Sequence, residues 1–261
     1  MKFVLGIDAA WTDKEPSGVA LLSLDEGNCI KAIKLARSYD EFCCDSIDWN
    51  NDVNGSLPQY DKLLEFCSDN QLQVDLFALD IPISPVKITG RRESDSQISK
   101  KYGGYGAATH SPNEIRPGYI SEIIFSQLKE LGYEWNGGLS KSFIEVYPHT
   151  GIIELFHYNY RLPYKVQKRS KYWPNSSAEQ RLRNIILNLN ELRQNLVKFI
   201  PNLAEKLHEL SPYKTYSIKY LKGYEDLLDA IVCSLTGCFY LMNKAKGYGD
   251  RESIIWVPRI D

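Results

Sequence analysis

The sequence predicts an α/β protein built on a mixed sheet of five strands, with helices on its flanks. Three apolar segments within the first 35 residues are joined by short polar turns, which is typical of an antiparallel meander. An amphipathic segment and another buried apolar segment follow, and this alternation is typical of an α/β sheet. Such sheets bind ligands outside the ends of their strands, so polar residues at strand ends are the first candidates for a site.

The composition is that of an ordinary globular protein, since 43% of the 261 residues are hydrophobic and 25% are charged. The 31 basic and 33 acidic residues nearly balance, so a site for a polyanion must be a local patch. Six cysteines without metal-ligand spacing, and no signal-peptide pattern, favour a cytoplasmic protein. No apolar segment approaches the roughly 20 residues that span a bilayer, so we expect no membrane partner.

The first strand, within Met1–Ala10, delivers one acidic side chain, Asp8, at the end of an apolar run. An ionised carboxylate in apolar surroundings is costly unless a cation or hydrogen bonds compensate it, which favours a functional role. The alternative is an aspartate that caps a turn. The second and third strands are expected at Gly18–Leu24 and Cys29–Leu35.

Two later strands also carry carboxylates. A helix over Leu57–Asn70 precedes a buried strand over Val74–Leu79, and Asp80 follows that strand directly. A fifth strand at Phe143–Tyr147 contains Glu145, a candidate catalytic residue whose alternative role is an edge-strand charge that faces solvent.

The last helix, expected over Tyr224–Ala245, combines small and acidic residues. Its small residues recur at helical spacing and predict close packing against the sheet; they are Ala230, Cys233, Ser234 and Gly237. Asp226 and Asp229 are three residues apart, so their like charges lie on one face, where a cation would stabilise them. The alternative is that these acids only complement the helix dipole.

The remaining segments are predicted to be insertions into the fold of this sheet. We expect a single domain over residues 1–261, with insertions at about 86–140 and 155–215. The first insertion includes a helix from about Pro117 to Leu131, and two helices broken near Pro201 fill residues 178–210. A closing strand is expected at Ser253–Val257.

Asp8, Asp80 and Asp229 are expected to converge. A carboxylate cluster without histidine or cysteine suits Mg2+ or Mn2+, because these cations prefer oxygen ligands. Such centres serve phosphoryl chemistry, in which two metals activate water and stabilise the leaving oxygen.

A basic and aromatic patch is the only local signal for a polyanion. Residues 155–178 contain no acidic residue, and the candidates for nucleic-acid binding there are Lys165, Lys168, Arg169, Lys171 and Trp173. Basic groups hold the phosphate backbone and aromatic rings stack on bases. The alternative is a solvated loop with buried aromatic anchors.

Five short motifs occur in an order that resembles the DUF429 family of predicted RNase H-like nucleases. They are Gly6-Ile7-Asp8, Leu79-Asp80-Ile81-Pro82-Ile83, Arg91-Arg92 followed by Asp95, Glu145-Val146-Tyr147-Pro148, and Asp226-Leu227-Leu228-Asp229-Ala230. The resemblance implies an RNase H-like core with Asp8, Asp80 and Asp229 at the metal site, Asp226 as a further metal ligand, and Arg92 and Asp95 nearby. The chain departs from the family at Tyr147-Pro148-His149, where His-Pro-Glu is usual, and this removes one carboxylate.

The leading functional prediction is therefore Mg2+- or Mn2+-dependent hydrolysis of phosphodiester bonds in nucleic acid. Asp8 would bridge two metals, and Arg92 would join the basic patch in holding the substrate. One alternative is an actin-like or sugar-kinase-like ATP-dependent phosphotransferase, although Ala9, Ala10 and Trp11 follow Asp8 where such proteins place Gly and Ser or Thr. The other is a non-catalytic nucleic-acid-binding module in which the acidic cluster is structural.

Overall fold

The computed structural model describes residues 1–260, which form a mixed sheet with helices packed against it. The strands are β1 (Lys2–Asp8), β2 (Gly18–Leu24), β3 (Ile30–Ala36), β4 (Val74–Leu79), β5 (Glu134–Trp135), β6 (Ser142–Val146), β7 (Ala245–Gly249) and β8 (Ile254–Pro258). The helices are α1 (Tyr39–Phe42), α2 (Tyr60–Asp69), α3 (Glu93–Tyr102), α4 (Tyr119–Glu130), α5 (Pro148–Phe156), α6 (Arg169–Tyr172), α7 (Ala178–Val197), α8 (Leu203–Lys206) and α9 (Ile218–Leu241). Short 3-10 helices lie at Gly103–Tyr105 and Val166–Lys168.

The strand order, β3-β2-β1-β4-β6-β8-β7, is that of an RNase H-like sheet, so the predicted fold class is confirmed. Strands β1, β2 and β3 pair antiparallel, whereas β4 pairs parallel with β1 and β6 pairs parallel with β4. The first half of β6 pairs with β5 and its second half with β8.

The prediction omitted two of these strands, β5 and β7. Strand β5 has only two residues, too few to show a periodicity. The predicted last helix extended to Ala245 and so included the start of β7. In the structure α9 ends at Leu241, and Asn243 adopts a positive φ of 57°, at which a helix cannot continue. The helix also begins earlier than predicted, because the Ser217 side chain accepts a hydrogen bond from the Tyr220 amide and caps it.

Alternate residues of β1 enter two different cores. Val4 lies in the core beneath α9 and α7, whereas Leu5 and Ile7 lie in the core covered by α1, α2 and α4. Both faces of the central strands are therefore buried, which explains why they read as continuous apolar runs rather than as alternating ones.

Helix α9 lies unusually close to β1 and β2. A methyl group on Gly6 would lie 2.2 Å from the Ala230 carbonyl oxygen, and one on Gly18 would lie 2.2 Å from the Asp226 carbonyl oxygen. The Ser234 hydroxyl donates a hydrogen bond of 2.8 Å to the Val4 carbonyl. This packing brings the N-terminal half of α9 to the end of β1, where Asp8 lies.

The region between β4 and β6 contains α3, α4 and β5, and the region after α5 contains α6, α7 and α8. Pro201 lies in the break between α7 and α8, where the sequence predicted it. Among residues 1–260, no helix combines the length and the apolar character that crossing a membrane requires.

Candidate metal centre

Three aspartates meet where β1 ends against α9. Asp8, Asp226 and Asp229 each offer one carboxylate oxygen, and these oxygens lie within 4.8 Å of one another. Asp229 is completely buried and Asp226 nearly so, whereas Asp8 is partly exposed. The cluster can hold a metal ion, and its all-oxygen donor set fits a hard divalent cation.

Asp80 is next to this cluster but not one of its three close members. Its backbone amide donates a hydrogen bond of 2.9 Å to the carbonyl of Ile7, which fixes it beside the end of β1. Burial raises the pKa of Asp80 to about 7; Lys165 opposes the shift, and Asp229 and Glu145 add to it. Asp80 therefore lies within electrostatic range of the cluster, whereas Asp226, which the family resemblance implied as a further metal ligand, is one of the three close members.

Two lysines pair with the carboxylates of this cluster. The Lys165 ammonium pairs with Asp229 and lies 3.4 Å from Glu225. The Lys222 ammonium pairs with Asp226 and lies 3.1 Å from Glu225. Glu225, which was not among the predicted site residues, is thus the carboxylate that both ammonium groups share.

The sequence contained a signal for the contacts of Lys222 only, since Glu225 is three residues from it and Asp226 four. Lys222 and Asp226 are four residues apart, a spacing at which helical side chains meet. Lys165 and Asp229 are 64 residues apart, and no local pattern indicates that they touch. Likewise, no pattern in the sequence indicates that Tyr164 contacts Asp229, to which its hydroxyl donates a hydrogen bond of 2.5 Å.

Negative charge exceeds positive charge in this cluster, and the pKa values reflect it. Burial, with the neighbouring aspartates, raises the pKa of Asp8 well above its usual range against the opposing effect of Lys165. Burial raises the pKa of Asp226 to about 6 and also raises that of Asp229. For Glu225 burial acts in the same direction, but Lys222 and Lys165 outweigh it and lower the pKa. A cation would relieve the repulsion that remains.

Lys165 itself stays protonated. Burial lowers its pKa, but the surrounding acids, above all Asp229, outweigh that effect and hold it well above the usual range.

Glu145 and Arg92 form a separate buried ion pair. Both guanidinium Nη atoms of Arg92 lie 2.6 Å from carboxylate oxygens of Glu145, and Arg92 also pairs with Asp95 at 3.0 Å. The Ile83 amide donates a further hydrogen bond of 3.0 Å to Glu145. These contacts engage both groups, which the sequence had proposed for substrate binding and catalysis, and leave the Arg92 side chain only 8% exposed.

The side chains of the basic patch, residues 155–178, lie in several different environments. Lys165 faces the aspartates, and Arg169 donates a hydrogen bond of 3.0 Å to the Val166 carbonyl. Trp173 packs edge-on against Tyr172 with a centroid separation of 5.6 Å. Among the described residues, Lys168 and Lys171 form no ion pair. Two of the five candidates thus present uncommitted charges.

A cleft of about 790 Å³ opens beside the cluster, with Asp8 and Asp226 in its wall. Its other lining groups include cations and two rings that sequence analysis did not select: Trp11, Lys14, His110, Arg116, Lys219 and Lys222. They come from three distant parts of the chain, so no sequence window could reveal them. Glu15 also lines the cleft, Lys219 pairs with Asp52 at 3.5 Å, and Lys222 pairs with Asp226. Lys14 and Arg116 are thus the basic lining residues without an ion pair among the described residues.

No family model, curated protein or solved structure matches this chain. The strand order is RNase H-like, and the DUF429 resemblance stays a prediction from short motifs.

Proposed function

We propose that this protein hydrolyses phosphodiester bonds in nucleic acid with the help of a divalent cation. The observation that carries the proposal is the meeting of Asp8, Asp226 and Asp229 at the end of β1, beside a cleft of about 790 Å³ that basic as well as acidic residues line. The DUF429 family is one of predicted RNase H-like nucleases, and we include membership of it in the proposal.

The residues present fit Mg2+ or Mn2+. Asp8 and Asp226 would hold the cation from the wall of the cleft, and Asp229 is the buried third member of the cluster, whose two oxygens also accept hydrogen bonds from Tyr164 and Lys165. Burial raises the pKa values of all three aspartates although Lys165 and Lys222 oppose the shift, and a bound cation would favour their ionised forms. When bound there, a divalent cation supplies a more acidic water and stabilisation of the leaving oxygen.

The chain's own groups then have three tasks. Arg116 and Lys219, on the cleft wall, would bind phosphates of the substrate backbone, and Trp11 would stack on a base. Asp80, with a pKa of about 7, lies where it can accept a proton released near the cluster. Lys168 and Lys171 would extend the cationic surface.

The experiment is a cleavage assay on single-stranded and duplex DNA and RNA, each with Mg2+, with Mn2+ and with EDTA. We expect cleavage only with metal. Asp8→Asn should reduce the rate by more than the roughly 10–100-fold that loss of an outer-shell partner costs. Asp61→Asn, the same change at an exposed site on α2, is the matched control. Cleavage in EDTA, or equal rates for the two variants, would contradict the proposal.

A second candidate is a non-catalytic nucleic-acid-binding module. The observation that favours it is the pairing of Lys165 and Lys222 with the carboxylates, because ammonium groups can balance such a cluster without a metal. This candidate predicts oligonucleotide binding that is equal in EDTA and in Mn2+, and no cleavage in either.

A further inference from the structure

We propose that the Lys165 ammonium occupies one of the cation positions of the acidic centre, so that the centre takes a single divalent cation rather than a pair. This inference rests on the proposed metal centre and specifies it. It makes Lys165 a positioning residue that acts through Asp229.

Lys165 is held on both sides by its chain neighbours. The Tyr164 hydroxyl donates to Asp229 Oδ1 at 2.5 Å, and the Val166 amide donates to Glu225 Oε2 at 2.6 Å. Between them the Lys165 ammonium contacts Asp229 Oδ2. Three consecutive residues thus bind two carboxylates of α9, and the ammonium is fixed rather than carried on a mobile surface side chain.

The hydrogen-bond pattern leaves few oxygens for metals. Both oxygens of Asp229 and both of Glu225 already accept hydrogen bonds, and Asp226 Oδ1 pairs with Lys222. Among the described residues, none donates a hydrogen bond to the side chains of Asp8 and Asp80. A metal between Asp8 and Asp226 therefore finds unshared oxygens, whereas one between Asp229 and Glu225 would meet Lys165.

The charge balance shows what Lys165 contributes to the centre. The centre has five carboxyl groups, Asp8, Asp80, Glu225, Asp226 and Asp229, and two ammonium groups, Lys165 and Lys222. Fully ionised, these groups have three excess negative charges, so one divalent cation leaves one negative charge and two cations would leave a positive charge. Without Lys165, two divalent cations would make the centre neutral. Uncompensated buried charge is costly, so a variant without Lys165 favours two ions. In the wild type one ion and two leave equal residual charge, and the hydrogen-bonded oxygens of Asp229 and Glu225 favour one.

The test counts Mn2+ bound per chain by equilibrium dialysis, without substrate. We expect one ion for the wild type and two for Lys165→Met, which keeps the length of the side chain and removes its charge. Lys31→Met is the matched control, because Lys31 is exposed on β3 and forms no ion pair among the described residues. It should bind one ion, as should Lys165→Arg, which keeps the charge.

Each result has a distinct meaning. Two ions on the wild type would overturn the inference and leave the proposed function standing, and this count requires no variant to fold. One ion on both the wild type and folded Lys165→Met would also overturn it. No ion on any of these proteins would overturn the metal centre and therefore the proposed function together with the inference. If Lys165→Met does not fold, two ions on Lys165→Arg would overturn the inference and one ion would support it.

Discussion

Gly6 of β1 lies directly against Ala230 of α9, so closely that a methyl group on Gly6 would come within 2.2 Å of the Ala230 carbonyl oxygen. This contact sets the distance between the strand that carries Asp8 and the helix that carries Asp226 and Asp229. The candidate metal centre thus depends on a residue that has no side chain.

Gly6→Ala should destabilise the protein and weaken metal binding together. The added methyl group must push α9 from the sheet, and overpacking of this kind typically costs about 1–3 kcal/mol. Urea unfolding gives the free energy, and Mn2+ dialysis gives the affinity. Gly104→Ala is the control, since a methyl group there meets nothing within 4 Å. A Gly6→Ala protein as stable as Gly104→Ala would contradict the close packing.

Mn2+ should raise the melting temperature of the wild type. Binding to the folded state alone stabilises by about 2.7 kcal/mol at 100 times the Kd, which corresponds to roughly 5–10 °C for a chain of this size. Asp8→Asn should lose most of this increase, because Asp8 offers unshared oxygens, and Asp61→Asn should keep it all. Differential scanning fluorimetry with EDTA and with Mn2+ measures both. Equal shifts in the two variants would place the metal elsewhere.

In EDTA the stability should fall as the pH rises from about 4 to about 7. Asp80 has its pKa raised from 3.8 to about 7, and Asp226 from 3.8 to about 6, so the folded state binds these protons more tightly than the unfolded state does. The stabilisation is complete below about pH 4 and is lost as the pH rises through the folded-state values.

Asp80→Asn should therefore make the stability fall less between pH 5 and pH 8, because the amide cannot ionise. Melting temperatures at pH 5, 6, 7 and 8 in EDTA test this, with Asp61→Asn as control. Parallel profiles for Asp80→Asn and the wild type would show that Asp80 is not buried against negative charge.

Arg92 and Glu145 should matter for stability more than for metal binding. Arg92→Met leaves two carboxylates buried without their partner, which costs about 3–5 kcal/mol. The double variant Arg92→Met/Glu145→Met should regain part of that loss, and Glu145→Gln should keep wild-type affinity for Mn2+. Loss of Mn2+ binding in a folded Glu145→Gln protein would instead make Glu145 part of the centre.

Neutral substitutions at Arg116 and Lys219 should weaken oligonucleotide binding. Each lost phosphate contact should reduce the slope of log affinity against log salt by about one unit. Fluorescence anisotropy with a labelled single strand in Ca2+ measures this for Arg116→Gln and Lys219→Gln. Lys31→Gln, an exposed change on β3, is the control and should leave the slope unaltered. An unchanged slope for Arg116→Gln and Lys219→Gln would show that these residues of the cleft do not contact the phosphates of the nucleic acid.

The sequence by itself determined the sheet and the late helix. Apolar runs bounded by polar turns are local patterns, so β1 to β4 and β6 could be found from single windows. The small residues of α9 are local too, and their spacing alone indicates the close packing against the sheet. Because strand ends follow from strand positions, the sequence also placed Asp8 and Asp80 next to each other.

Only the tertiary structure decided which charges meet. The rotation of α9 on β1 brought Asp226 close to Asp8 and left Asp80 outside the closest group. The fold brought Lys165 to Asp229 across 64 residues, and Arg92 to Glu145 across 53. Such ion pairs follow no periodicity along the chain, because they depend on how irregular segments pack against the helices and strands. A basic residue in the sequence therefore showed its charge, and only the fold showed whether that charge faces a substrate or a carboxylate.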